Sequence, residues 1–197
     1  MHALRVFWLI CAGFSATGCA HPLVISPDLA RIERPSDLTV IDKSVAYFIA
    51  PELLGRQVTT PGGGGDSVSY HPYRDLEAAL YKMLGNVFRS VNRLKAAADR
   101  ETINNNSVSY VMTPEITTTS LSSSIFTWPP TSFSVALTLD VADAAGKSMS
   151  RISSRGDGQA EFDEFKSDFS LSGKRAALDA VLKMQKQLLE SAQLRKP

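Results

Sequence analysis

The sequence predicts an α+β fold: a two-layer sandwich in which a mixed or antiparallel sheet of about four strands carries two helices on one face, in the order β-α-β-β-β-α. Three observations lead there. Phe133, Val135, Leu137, Leu139 and Val141 alternate with Ser134, Ala136, Thr138 and Asp140, the period of a strand with one buried and one wet face. Leu76, Leu80, Met83, Val87, Val91 and Leu94 recur at helical spacing, and so do Leu178, Val181, Leu182, Leu188, Leu189 and Ala192. An antiparallel sheet tolerates water on one side, so two helices suffice to cover the other.

Each element has a local reason. From Leu38 to Ile49 the chain is β-rich, with Val45, Tyr47 and Ile49 on one face, and it stops at Pro51. The run Pro61-Gly62-Gly63-Gly64-Gly65-Asp66 is too rich in glycine to hold one conformation cheaply and is expected to be a mobile loop. Pro72 to Leu94 follows as the first helix, with Asp75 and Glu77 near its positive end. Residues 95–107 are polar. Val108, Tyr110 and Met112 then mark a second strand that Pro114 is expected to interrupt or bend, because proline cannot donate to a ladder. Residues 117–124, dominated by Ser and Thr, fit either an exposed extension of that strand or a loop. The strand Phe133 to Val141 leads into the turn Asp143-Ala144-Ala145-Gly146-Lys147. The chain returns over Ser148 to Phe162, with a kink expected near Gly156 and Gly158. Ser170 or Ser172 caps the last helix.

The ends of the chain carry a different message. Arg5, the apolar run Val6 to Phe14 and the small residues of Ala16-Thr17-Gly18 precede Cys19. The apolar run is too short to span a bilayer, which needs ~20 residues, and has the layout of a cleavable leader. Ala16-Thr17-Gly18-Cys19 resembles the lipobox of bacterial lipoproteins, although Ala16 stands where Leu is usual. That resemblance implies cleavage after Gly18 and acylation of Cys19, with several acyl chains giving stable anchoring. Ala20 is not the Asp that resembles an inner-membrane retention signal, which implies the outer membrane of a two-membrane host. The expected organisation is therefore a signal peptide over 1–18, a lipidated tether over 19–37 containing Pro22, Pro27 and Pro35, and one periplasm-facing domain over 38–197. The short apolar patch Leu23 to Ile25 has an alternative as a docked edge strand.

Composition excludes several function classes. Arg5 is the only lysine, arginine or carboxylate in the leader, and losing it leaves basic and acidic residues in balance. No polybasic stripe remains to bind nucleic acid. Of the 2 cysteines, Cys11 leaves with the leader and Cys19 carries lipid, so no thiol is left for a disulfide, metal or nucleophile. His21 and His71 lack a further ligand at metal spacing, and no cofactor motif is present. The glycine run lacks the Lys-Ser/Thr pair of a phosphate loop, and there is no Gly-x-Ser-x-Gly elbow.

Three constellations remain. Asp157, Glu161, Asp163, Glu164 and Asp168 have no catalytic or calcium spacing and, interleaved with Phe162, Phe165 and Phe169, describe a solvated face whose rings pack inward. Arg155-Gly156-Asp157 spells an integrin-binding tripeptide, but a bulge or turn is sufficient reason for its glycine. Phe126, Trp128, Pro129 and Pro130 place large rings in a proline-stiffened loop, which fits a partner contact or, alternatively, a plug closing the end of the core.

With the lipobox, the order of elements and the central hairpin in hand, the chain is similar to small Gram-negative envelope lipoproteins, and most nearly to the YajG-like lipoproteins. The resemblance implies a periplasm-facing domain without an assigned activity. The expected function is a noncatalytic binding or assembly module of the cell envelope, held to the membrane through acyl chains on Cys19 and contacting an envelope protein. A carrier of lipid or another apolar ligand is the alternative, and a hydrolase using the acidic cluster is the third reading.

Overall fold

A computed structural model describes residues 20–36, 39–122 and 128–196. The leader, Cys19 and Phe126 lie outside the described residues. The fold is α+β with two mixed sheets. In the larger sheet, β5 (Phe88–Arg93), β2 (Ile41–Tyr47), β6 (Val108–Leu121), β7 (Ser132–Asp143) and β8 (Ser148–Gln159) lie in that order. The pairings of β2 with β5 and β6 are parallel, and those of β7 with β6 and β8 antiparallel. The smaller sheet has the order β1 (Ala20–Pro22), β4 (Ser67–Tyr70), β3 (Val58–Pro61). Two long helices, α2 (Pro72–Val87) and α5 (Leu171–Glu190), pack on each other and on one face of the large sheet. Short helices α1 (Pro51–Leu54), α3 (Arg100–Asn105) and α4 (Phe162–Phe165) complete the chain.

The core follows from the two periodicities. Val45, Met112, Leu137 and Leu139 point from the sheet toward Leu76, Leu80, Met83, Val181 and Met184, all nearly inaccessible to water. Along β2 the next residue, Ala46, faces the other way and joins Leu94, Ile103 and Val108 in a second, small cluster under α3. The outer face is thus covered at one end. Elsewhere it is polar: Arg151 pairs with Asp140 at 3.1 Å and with Glu115, and the Thr138 and Ser153 hydroxyls meet at 2.8 Å.

Several expectations are corrected. The large sheet has five strands rather than about four, and the second sheet was not foreseen. The helix expected to reach Leu94 ends at Val87, because Val91 pairs with Val45 in β5 instead of continuing the helical stripe. β6 runs unbroken through Pro114. Beyond Met112 no strand of the sheet among the described residues lies on that flank, where the Ile116 N–H donates to the Tyr73 hydroxyl at 3.1 Å, so the missing N–H of Pro114 costs no ladder bond. The glycine run is the turn of the β3–β4 hairpin, in which Gly64 and Gly65 take positive φ and the Gly63 N–H donates to the Trp128 carbonyl at 3.0 Å.

β8 has no kink at Gly156 or Gly158. These glycines, with Ser154, form its inward side and let α5 approach through Ser172, Ala176 and Ala180. The irregularity in the β7–β8 pairing falls at Val141/Ala142, next to the turn.

The largest correction concerns the expected tether. Residues 20–36 are built into the domain: β1 is an edge strand parallel to β4, and Ile25 and Ile32 are fully buried. Polar groups hold the segment down. The Ile25 N–H donates to buried Asp75 at 3.1 Å, Asn86 donates to the Ile32 carbonyl at 3.0 Å, and Gln185 donates to the Glu33 carbonyl at 2.7 Å. The docked-edge-strand alternative for the Leu23 region is the one realised, with β1 ending at Pro22 and the Leu23 N–H donating to Ser69 at 2.8 Å.

Candidate functional site

Strand register defines the two ends of the molecule. At one end Leu121, Ser132 and Gln159 stand in a row across β6, β7 and β8. Ser120 donates to the Pro61 carbonyl at 2.5 Å, which aligns this row with the Pro61–Ser67–Ala20 row of the small sheet. β2 pairs with β6 only from Val108 to Met112, and β5 pairs with the far side of β2, so both lie toward the opposite end.

That opposite end carries an open groove of about 690 Å³. Leu29, Ala78, Tyr81 and Val91 form its apolar walls, and Lys82, Asn86 and Arg89 its polar rim. Leu29 and Tyr81 expose much of their surface. β5 is the outer strand here, so main-chain groups along its free side accompany the apolar surface. Arg34 donates to the Gly85 carbonyl at 3.3 Å, and Arg89 pairs with Asp42 at 2.8 Å, so the groove floor is held from two sides. The arrangement suits an extended, partly apolar chain segment.

The proline loop lies at the first end. Pro129 and Pro130 are buried, and the Ser172 hydroxyl donates to the Pro130 carbonyl at 2.7 Å. Trp128 is partly buried; its ring stacks on His21 at 4.0 Å and tilts against Phe169 at 4.8 Å. Of the residues expected to meet a partner, only Trp128 therefore keeps described accessible surface. The loop closes the end of the core and also presents one ring.

The acidic cluster is dispersed into structural pairs. Glu164 takes Arg175 at 2.6 Å and accepts the Glu161 N–H in a capping box at α4, and these two, Arg175 foremost, hold its carboxyl down at about 2. Asp163 pairs with Lys166, and Asp168 with Lys174, both at 2.8 Å. Asp157 accepts from Ser134 at 2.5 Å, the main cause of its lowered pKa, and from Arg155 at 3.3 Å. Pairing with Ser134 to Ala136 of β7 places the Arg-Gly-Asp tripeptide in a regular strand rather than a projecting turn. The rings do not all turn inward: Phe165 is buried, whereas Phe162 and Phe169 are exposed. Among the described residues no His, Cys, Asp and Glu group has metal-binding proximity. His71 sits at the start of α2 beside Arg74.

Sequence reasoning missed the groove. Leu29 fell in the supposed tether, and Val91 was assigned to a helix face. Tyr81 offered a signal, since a large ring off the buried stripe of an amphipathic helix faces solvent unless something covers it.

No family model matches the chain, and no curated protein matches it in sequence. Among solved structures it is similar to protein XCC0632 from Xanthomonas campestris, of the family model DUF330. The TM-score is 0.51 at 7% identity, covering 87% of this chain and 95% of the other. This likeness shows a shared fold. Weaker likenesses extend to the PelC dodecamer from Paraburkholderia phytofirmans, with TM-score 0.43, 12% identity and coverage of 78% and 92%. A candidate lipoprotein from Caulobacter crescentus follows with TM-score 0.35, 16% identity and coverage of 80% and 93%. No described helix is long and apolar enough to cross a membrane.

Proposed function

We propose that this chain is a membrane-anchored, noncatalytic lipoprotein that acts as a binding or assembly module of the bacterial cell envelope. The Ala16-Thr17-Gly18-Cys19 sequence supports the anchor and, with Ala20 after it, the outer membrane. The observation that carries the binding role is the groove along β5, which joins exposed Leu29 and Tyr81 to a free strand edge at the end away from Ala20. An envelope protein contributing an extended segment fits that surface, its main chain pairing with β5 and an apolar side chain lying against Tyr81. The engagement of the acidic cluster in caps and ion pairs supports a structural role for those carboxylates over a catalytic one.

The carrier reading has less room. Tightly buried side chains fill the space between sheet and helices, so an apolar ligand would occupy the groove outside them. One experiment separates the two. A photoreactive residue in place of Tyr81, in the full chain expressed in a Gram-negative host, should crosslink to one protein that a similar substitution at Thr138 does not capture. Labelling of lipid alone would favour the carrier, and no product at either position would count against the groove as the working surface.

A further inference from the structure

We infer that the end of the domain from which Cys19 emerges is itself a membrane-docking face, seated by apolar contact in the headgroup region beside the acyl anchor. This rests on the lipoprotein reading. Two observations argue for it.

The first is the length of free chain. Cys19 directly precedes Ala20, and Ala20 is already paired with Ser67 in β1. Consecutive Cα atoms are ~3.8 Å apart, so an acylated Cys19 brings the start of the small sheet down to the headgroups. A flexible linker would have allowed the domain to stand off; here residues 20–36 are packed instead.

The second is what surrounds that point. Six large hydrophobic side chains are exposed among the described residues, and four of them gather here. Leu121, 62% exposed, ends β6 in the terminal row. Phe162, 58% exposed, follows β8 on α4, and Phe169, 47% exposed, leans on Trp128. Val24, 52% exposed, donates its N–H to Ser170, the residue after Phe169. Rings with partly wet surfaces are the side chains that settle at a bilayer interface. Lys166 holds its ammonium over the Phe162 ring at 4.4 Å while pairing with Asp163 at 2.8 Å, so a neutralised polar group borders the exposed ring. Charge does not drive the contact. Lys166, Lys174 and Arg175 each have a carboxylate partner, and His21 faces Asp66 at 3.6 Å, so no positive surplus attracts anionic lipid. The face therefore suits zwitterionic headgroups, and salt should not release it.

The sequence supplies its own probe. Of the 2 tryptophans, Trp8 lies in the leader, so Trp128 is the single tryptophan of the processed chain. The processed full-length protein, purified from a Gram-negative host, is reconstituted into phosphatidylcholine vesicles with bromine on the upper acyl carbons. Docking at ~5–10 Å depth predicts roughly two-fold quenching of Trp128, unchanged in high salt, and about half that effect in a Leu121→Ser, Phe162→Ser variant. The rings against Trp128 are those of His21 and Phe169, and both substituted residues are exposed, so the variant is expected to fold. Intact mass, read before reconstitution, tests the anchor alone. An unmodified Cys19 overturns the lipoprotein reading and the docking inference with it. An acylated Cys19 with unquenched Trp128, as expected if a protein or a second copy covers the face, overturns docking only. Quenching that is indifferent to the double substitution also overturns it.

Discussion

Gly156 on β8 lies so close to Ala180 on α5 that a Cβ built on the glycine would stand 2.8 Å from the Ala180 Cα and overlap its amide nitrogen. Two residues back on the same side, the Ser154 hydroxyl donates to the Ala180 carbonyl at 2.9 Å, so a side-chain bond to the helix main chain also ties the strand to α5. Gly156→Ala should therefore cost about 3 kcal/mol, because both clashing partners are main chain and cannot swing aside. Gly85→Ala, in the interior of α2 with nothing near its added methyl, should instead stabilise by about 0.5–1 kcal/mol. Urea denaturation midpoints of the two variants check both signs, and equal shifts would contradict the packing argument.

Asp75 is buried and accepts the Ile25 N–H at 3.1 Å. Asp75→Ala leaves that donor unpaired and should cost about 1–3 kcal/mol, whereas Asp75→Asn retains an acceptor and should cost less. Hydrogen exchange at the Ile25 amide is the direct readout. It should accelerate in the alanine variant well before the core strands β6 and β7 do.

Glu164 has a pKa lowered from 4.5 to about 2, by Arg175 first and then by the Glu161 N–H. For a carboxyl depressed in the folded state, the stabilisation is fully present above its unfolded value and is lost as pH falls through the folded one. The contribution of this group should therefore fade between pH 4.5 and about 2. Unfolding curves across that window should be steeper in pH for the native protein than for Glu164→Gln, and parallel curves would contradict the assignment.

The Tyr47 hydroxyl donates to Glu77 at 3.2 Å, and burial, followed by the Glu77 charge, raises its pKa from 10.0 to about 12. A raised tyrosine pKa favours folding below the unfolded value, and that benefit disappears as pH climbs from 10 toward 12. Glu77→Gln should move the Tyr47 transition back toward 10, as followed by the ultraviolet absorbance of tyrosinate against a Tyr47→Phe control.

The elements legible from sequence were those with unmixed periods. β7 alternates without interruption, and Asp143 closes the turn after it by accepting the Ala145 and Lys147 N–H groups, both at 2.9 Å. α5 carries one long apolar stripe. The elements that escaped were those whose local pattern is overruled by distant partners. Val91 sits at helical spacing from Val87 with no glycine or proline between them, and only pairing with β2 makes it a strand residue. Ile25 and Ile32 are isolated apolar residues among prolines, and their burial depends on Asp75, Asn86 and Gln185 far along the chain. α3 was readable in retrospect, because Asp99 accepts the Thr102 N–H as a helix cap. Phe162 and Phe169 could not be sorted from Phe165 by spacing, since α4 is too short to establish a period.

For a protein held at Cys19, the clamping of residues 20–36 changes what sets its working distance. A coil would let the β5 groove sample a broad range of heights above the bilayer. Here a rigid strut takes its place: β6 has 14 residues, about 45 Å at strand spacing, and runs from the row beside Ala20 toward the far end. With the proposed anchor and docking face, the groove is expected to stand at one altitude above the bilayer, like a bracket rather than a buoy. Any partner must bring its docking segment to that height, and lengthening the chain between Cys19 and Ala20 should uncouple binding from the membrane without altering the groove itself.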